Sequence, residues 1–145
     1  MPIGSSRAAI ALLAALPLGA CVSQGQSSPP TTYGFRQSVL SGRLAEMGDY
    51  NTISGDGVRT CHLQPLPTVR ILTQPAHGEV LVTTGTRVLH TRPDEPLAHC
   101  GGRPFASRIV QYRPVPGYRG EDRLSYSVTF ANGMSETYEK AISVN

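Results

Sequence analysis

Tryptophan is absent, phenylalanine occurs three times and Lys140 is the only lysine, so the cationic side of the chain is carried by arginine. No run of adjacent basic residues with interleaved aromatics occurs, which removes support for a nucleic-acid-binding surface. After the N-terminal twenty residues no stretch is apolar and long enough to cross a bilayer as a helix. A nucleophile-elbow motif, a phosphate-cradling glycine loop and an H-E-x-x-H zinc motif are all missing, so the sequence gives no ground for expecting an enzyme. Cysteine is sparse too, at three residues, an awkward odd number for an exported protein.

Glycine (15) and proline (12) are frequent, which suits a turn-rich all-β chain better than a helical bundle. A length of 145 residues leaves room for one domain and an N-terminal segment outside it. The net charge of +3 is mild. The preference for arginine reads either as a compositional bias or as a means of binding carboxylate and phosphate.

Residues 1–20 read as a signal peptide. Arg7 supplies the positive region, and Ala8 to Leu16 forms an apolar core too short for a stable span. The segment ends in Leu18-Gly19-Ala20-Cys21, which resembles the lipobox of bacterial lipoproteins. That resemblance implies cleavage before Cys21, with a diacylglycerol on its thiol and an acyl chain on its new amine. These lipids are the only non-protein groups expected, and no cofactor is. Val22 stands where a retained inner-membrane lipoprotein would carry aspartate, so an outer-membrane location is expected. Residues 21–32 form the lipidated cysteine and a Ser/Gln/Pro-rich tether with too little apolar surface to order itself, reaching roughly 20 Å from the bilayer. If Cys21 carries lipid, Cys61 and Cys100 remain as a pair.

Residues 33–57 are the hardest to read. Phe35, Val39, Leu40, Leu44 and Met47 fall at spacings compatible with one helical face, which predicts a peripheral helix or irregular segment. The alternative places a first edge strand at Asp49 to Ile53, with a turn at Ser54-Gly55-Asp56-Gly57. The domain proper is expected over residues 58–145. Pro67–Thr73, Glu79–Thr84, Thr86–His90, Arg108–Arg113, Leu124–Phe130 and Thr137–Val144 read as short strands. They are separated by turn chemistry at Gln74-Pro75-Ala76-His77-Gly78, at Gly85 and at Asn132-Gly133, with a loop over 92–104. Lys140 interrupts the apolar face of the last strand and is expected near an edge or snorkelling outward.

Arg113-Pro114-Val115-Pro116-Gly117-Tyr118-Arg119-Gly120-Glu121-Asp122 leads into Leu124, Tyr126 and Val128. Asp122 four residues before Tyr126 is the layout of a tyrosine corner, and that spacing favours an all-β sandwich over a closed barrel. Together with Pro75-Ala76-His77-Gly78-Glu79-Val80, the stretch resembles the bacterial cadherin-like immunoglobulin family over about residues 66–145. The resemblance implies an immunoglobulin-like β-sandwich in which Gly117, Gly120, Asp122 and Tyr126 are structural. It also implies a module used in adhesins and surface proteins, although here a single copy carries a lipid anchor and a cysteine pair.

Cys61-His62 and His99-Cys100 form a mirror pair whose residue types suit zinc. Adjacent residues on an extended chain point to opposite sides, and an oxidising compartment favours a disulfide. A Cys61–Cys100 disulfide is therefore expected, with no metal site. His77 reads as a turn residue, and His90 and Thr91 show no catalytic partner. Glu121 and Asp122 are too few for calcium. Three functions follow in order of preference: a non-catalytic envelope lipoprotein whose module binds a protein or the cell wall; a metal-binding protein using Cys61, His62, His99 and Cys100; and an envelope enzyme or enzyme inhibitor acting through a pocket or the 92–104 loop.

Overall fold

The computed structural model describes residues 30–55 and 60–145. The expected signal peptide, Cys21, most of the expected tether and Asp56-Gly57 of the expected turn lie outside the described residues. Nine strands follow in order: β1 (Thr31–Val39), β2 (Ala45–Tyr50), β3 (Ile53–Ser54), β4 (His62–Leu63), β5 (Thr68–Thr73), β6 (Gly78–Val88), β7 (Pro104–Pro114), β8 (Gly120–Thr129) and β9 (Ser135–Val144). A single 3-10 turn, Ala98–Cys100, sits in the β6–β7 connection.

The strands form an all-β sandwich. One sheet has the order β1-β9-β8-β5, the other β2-β7-β6, and β3 with β4 makes a small separate ribbon. Neighbouring strands pair antiparallel except β1 with β9, which run parallel. The alternation read in the sequence is what buries the core. Leu124, Tyr126 and Val128 from β8 meet Ile142 and Val144 from β9, and Val110 and Tyr112 from the facing β7. Each fully buried apolar side chain of this kind contributes about 1.5–3 kcal/mol.

The helix suggested by Phe35 to Met47 does not form. Residues 31–50 instead supply one edge strand to each sheet, so β1 starts inside what the sequence suggested was tether. The apparent helical spacing is fortuitous. Leu40 and Leu44 are well exposed in the connecting turn, where Gly42 takes a φ of 68°. Val39 and Met47 are the residues that reach the core. Met47 gets there through a register shift between Glu46 and Gly48, and Gly48 has no room for a side chain, because a Cβ there would lie 2.4 Å from the Tyr50 hydroxyl. Gly85 is likewise not a turn. It sits within the unbroken β6, where a Cβ would strike Ile109.

Lys140 also departs from expectation. Its strand lies between β1 and β8, and its side chain is on the inner face, only 8% exposed. The ammonium rests over the Phe35 ring, 4.2 Å from its centroid. Burial lowers its pKa below the ordinary lysine value.

Candidate functional site

Polar and aromatic residues collect in three constellations, two of them built around residues singled out in the sequence. In the first, the carboxylate of Asp122 is a clamp. One oxygen accepts from the backbone N–H of Ala76 (2.9 Å) and Arg123 (2.8 Å), the other from the N–H of His77 (2.9 Å) and the hydroxyl of Tyr112 (2.7 Å). Burial alone would raise its pKa, but the Tyr112 bond and the three backbone donors outweigh it and hold the group below the usual carboxylate range. The β5–β6 turn is thereby pinned to the start of β8. His77 belongs to the same clamp: its ring stacks on Tyr118 at 4.0 Å, and its carbonyl accepts from the N–H of Val115. Gly117 and Gly120 shape the approach with φ values of 84° and 136°, and the Tyr118 hydroxyl donates to the carbonyl of Glu121. With its acceptor positions used this way, Asp122 is a scaffold group.

Tyr126 does not fasten this corner, which is a correction to the expected geometry. Its hydroxyl crosses the sandwich to the hydroxyl of Tyr50 (2.6 Å) and the carbonyl of Met47 (3.3 Å), both on β2. The tyrosine that reaches Asp122 is Tyr112 on β7. Burial pushes the Tyr126 pKa up to about 12, and burial together with the bond to Tyr126 raises that of Tyr50.

Cys61 and Cys100 form the second constellation, a disulfide with Cα atoms 5.9 Å apart that ties the residue preceding β4 to the 3-10 turn. His99 stands beside it, donating from Nε2 to the carbonyl of Thr60 at 3.1 Å. The potential ligand atoms of Cys61, His99 and Cys100 cluster within 4.8 Å, while His62 is not among them. Because the disulfide consumes both thiolates, this arrangement leaves one imidazole where zinc would need three or four ligands. Nearby, His90, Thr91 and Arg92 line a recess of about 530 Å³, in which the Thr91 hydroxyl donates to the carbonyl of Ala98.

The third constellation was not foreseen, and it surrounds β1. This strand pairs with β9 over all nine residues without a bulge, and its other edge is unpaired among the described residues. Alternation sends Tyr33 and Phe35 to the inner face, where the opposite sheet does not cover them: they are 38% and 47% exposed. Both rings stack on Tyr138, which stacks in turn on Tyr126, with centroids 5.4–6.3 Å apart. A row of aromatic rings therefore runs from the core to the surface and ends at this edge.

On the outer face the same strand borders a shallow groove of about 720 Å³. Gly34, Ala141 and Ser125 provide its small-residue floor, flanked by Arg36, Arg123 and Glu139. No ion pair engages these three charges among the described residues. Gly34 has an ordinary backbone conformation, and a Cβ built on it would meet nothing within 4 Å. Among the described residues neither a turn nor packing calls for glycine here, although glycine weakens a strand. A sequence signal for the strand existed, in the alternation of Tyr33, Phe35 and Val39, but Gln37 interrupts it and the adjacent leucines mask it. Compared with protein-family models, curated proteins and solved structures, the chain matches none of them.

Proposed function

We propose that this chain is a non-catalytic lipoprotein of the bacterial outer membrane. Acyl chains on Cys21 hold it there, and it displays one immunoglobulin-like module that binds protein through the β1 edge. The observation that carries this reading is the free nine-residue edge with Tyr33 and Phe35 exposed along it. Strand edges offer a row of backbone donors and acceptors, and proteins that do not use them blunt them with bulges, prolines or inward-pointing charge. Of the other edges of the two main sheets, β2 and β5 carry register shifts, and β6 has Glu79 and Arg87 tied by ion pairs to Arg113 and Glu46. β1 has neither device, and strand addition at such an edge is an established mode of protein recognition.

The immunoglobulin-like assignment is supported by strand order. With β2, β7 and β6 as one sheet and β5, β8 and β9 as the other, the arrangement follows the B-E-D and C-F-G sheets of that fold. The first strand joins the last strand of the C-F-G sheet. A disulfide closing the long 61–100 segment fits an exported protein.

The test is a photoreactive residue at position 35 of the full chain in intact cells, with position 82 on β6 as control. Irradiation should give crosslinked species from position 35 and none from position 82. Absence of crosslinks from 35, or equal yield from both, refutes the edge as the contact. The anchor is tested separately: Cys21→Ser should move the protein from the membrane to the soluble fraction, and unchanged membrane recovery refutes lipidation.

A further inference from the structure

We propose that the occupant of the β1 edge is a second copy of this chain, paired antiparallel about a twofold axis at Phe35. The inference rests on the reading of β1 as the contact edge and names its partner. A twofold axis perpendicular to a sheet must keep inward residues opposite inward residues, so an axis can fall only on a residue of β1. Three positions near the middle of the strand need comparison.

An axis at Phe35 pairs all nine residues, Thr31 with Val39 through to Val39 with Thr31. It places Arg36 of one copy opposite Gly34 of the other. Gly34 is cross-strand to Glu139 on β9, so the guanidinium passes over a residue with no side chain and meets an unpaired carboxylate two strand spacings, about 10 Å, from its own Cα. The same contact repeats on the other side of the axis. On the inner face the two Phe35 rings stand opposite each other, extending the aromatic row across the junction.

An axis at Arg36 sets two guanidiniums directly opposite, which is destabilising. An axis at Gly34 places Arg36 opposite Thr32, whose cross-strand neighbour on β9 is Thr137 and not a carboxylate. Only the Phe35 axis uses the full strand and pairs one free charge of each sign, Arg36 with Glu139. It also gives Gly34 a reason that the described residues of the single chain do not supply, since glycine within a strand often marks a close approach by another group. Pairing would join two four-stranded sheets into one continuous sheet of eight.

Cysteine placement reads the register directly. At the axis of an antiparallel pair the two Cα atoms are about 4.5–5.5 Å apart, within the span a disulfide bridges. The full chain carrying Phe35→Cys is oxidised in membranes and run without reductant, beside wild type and the Gly34→Cys and Arg36→Cys chains. The wild type sets the background from the native cysteines. The expected result is a band of twice the chain's mass, strongest for Phe35→Cys. A dimer band strongest at position 34 or 36 overturns the register, and no dimer band at any position overturns the second copy. Photocrosslinks from position 35 that contain only other proteins also overturn the second copy, while leaving β1 as the contact edge.

Charge reversal supplies an independent readout that leaves the fold in place, because both side chains are exposed and unpaired. Arg36→Glu alone and Glu139→Arg alone should each weaken association by about tenfold, and the two together should restore it. Dimer yields that are unchanged by the single reversals, or that are not restored by the pair, overturn the proposed contact.

Discussion

Replacing Asp122 by asparagine removes a charge and one of two acceptor oxygens from a group that four donors converge on. Two orientations are open to the new amide. If its nitrogen faces Ala76 and Arg123, two backbone N–H groups lose their acceptor. If it faces His77 and Tyr112, the Tyr112 hydroxyl can turn and donate to the carbonyl of His77, which already lies 3.3 Å away, so only the His77 N–H is stranded. The second arrangement is cheaper. One stranded donor costs about 1–3 kcal/mol, and each remaining bond drops from charge-assisted to neutral strength, which brings the total to roughly 3 kcal/mol.

Urea unfolding followed by far-UV circular dichroism, with the Cys61–Cys100 disulfide intact, measures the difference. With a slope of about 1.5 kcal/mol per molar, the midpoint at pH 7 should fall by about 2 M. The pH dependence carries a second signature. The folded carboxyl titrates below its unfolded value, so the stability it confers is complete above the unfolded pKa, near 4. That stability is lost as pH falls through the lower folded value. Wild type and the Asp122→Asn chain should therefore converge as the medium is acidified below about pH 4. A difference under about 1 kcal/mol at neutral pH, or one that persists undiminished in acid, would refute the clamp.

Two further outcomes follow from the interior. Tyr126→Phe removes the hydroxyl that joins Tyr50 and the Met47 carbonyl across the sheets and should cost about 1–2 kcal/mol in the same assay; an unchanged midpoint would show that the link contributes nothing. The paired change Cys61→Ala with Cys100→Ala releases a loop spanning 39 residues in sequence. In the chain-entropy model this loses about 4 kcal/mol, and a loss below about 1 kcal/mol would mean that the staple does not constrain the unfolded chain.

The C-terminal half of the sandwich was legible in the sequence because its cues are local. Asn132-Gly133 forms the turn between β8 and β9, where Gly133 has a φ of 83° and its N–H donates to the carbonyl of Phe130. Leu124, Tyr126 and Val128 alternate without interruption because one face of β8 is buried. The N-terminal strands were hidden because β1 is covered on neither face for most of its length, so burial imposes no clean period on it. Local spacing points Tyr126 to the Asp122 corner instead of to β2 for a related reason. Its acceptor and its fellow tyrosine lie on β2, more than 70 residues away, and no local pattern announces β2 as a strand. Tyr112 was unremarked because what defines it, a hydroxyl within reach of Asp122, appears only once β7 packs across from β8. The groove beside Gly34 has no local signature: its small residue and free charges acquire meaning only when the register puts Gly34 beside Glu139.

The parallel pairing of β1 with β9 has a mechanical consequence. Thr31 lies beside Glu136 and Val39 beside Val144, so Thr31 and Asn145 sit at opposite ends of the same ladder. Tension applied between those two residues would pull the strands past each other lengthwise, and the inter-strand bonds would share the load and have to yield together. Had the strands been antiparallel, the same tension would have peeled the bonds apart one at a time. β1 and β9 are thus joined in shear, the geometry in which the bonds must break together.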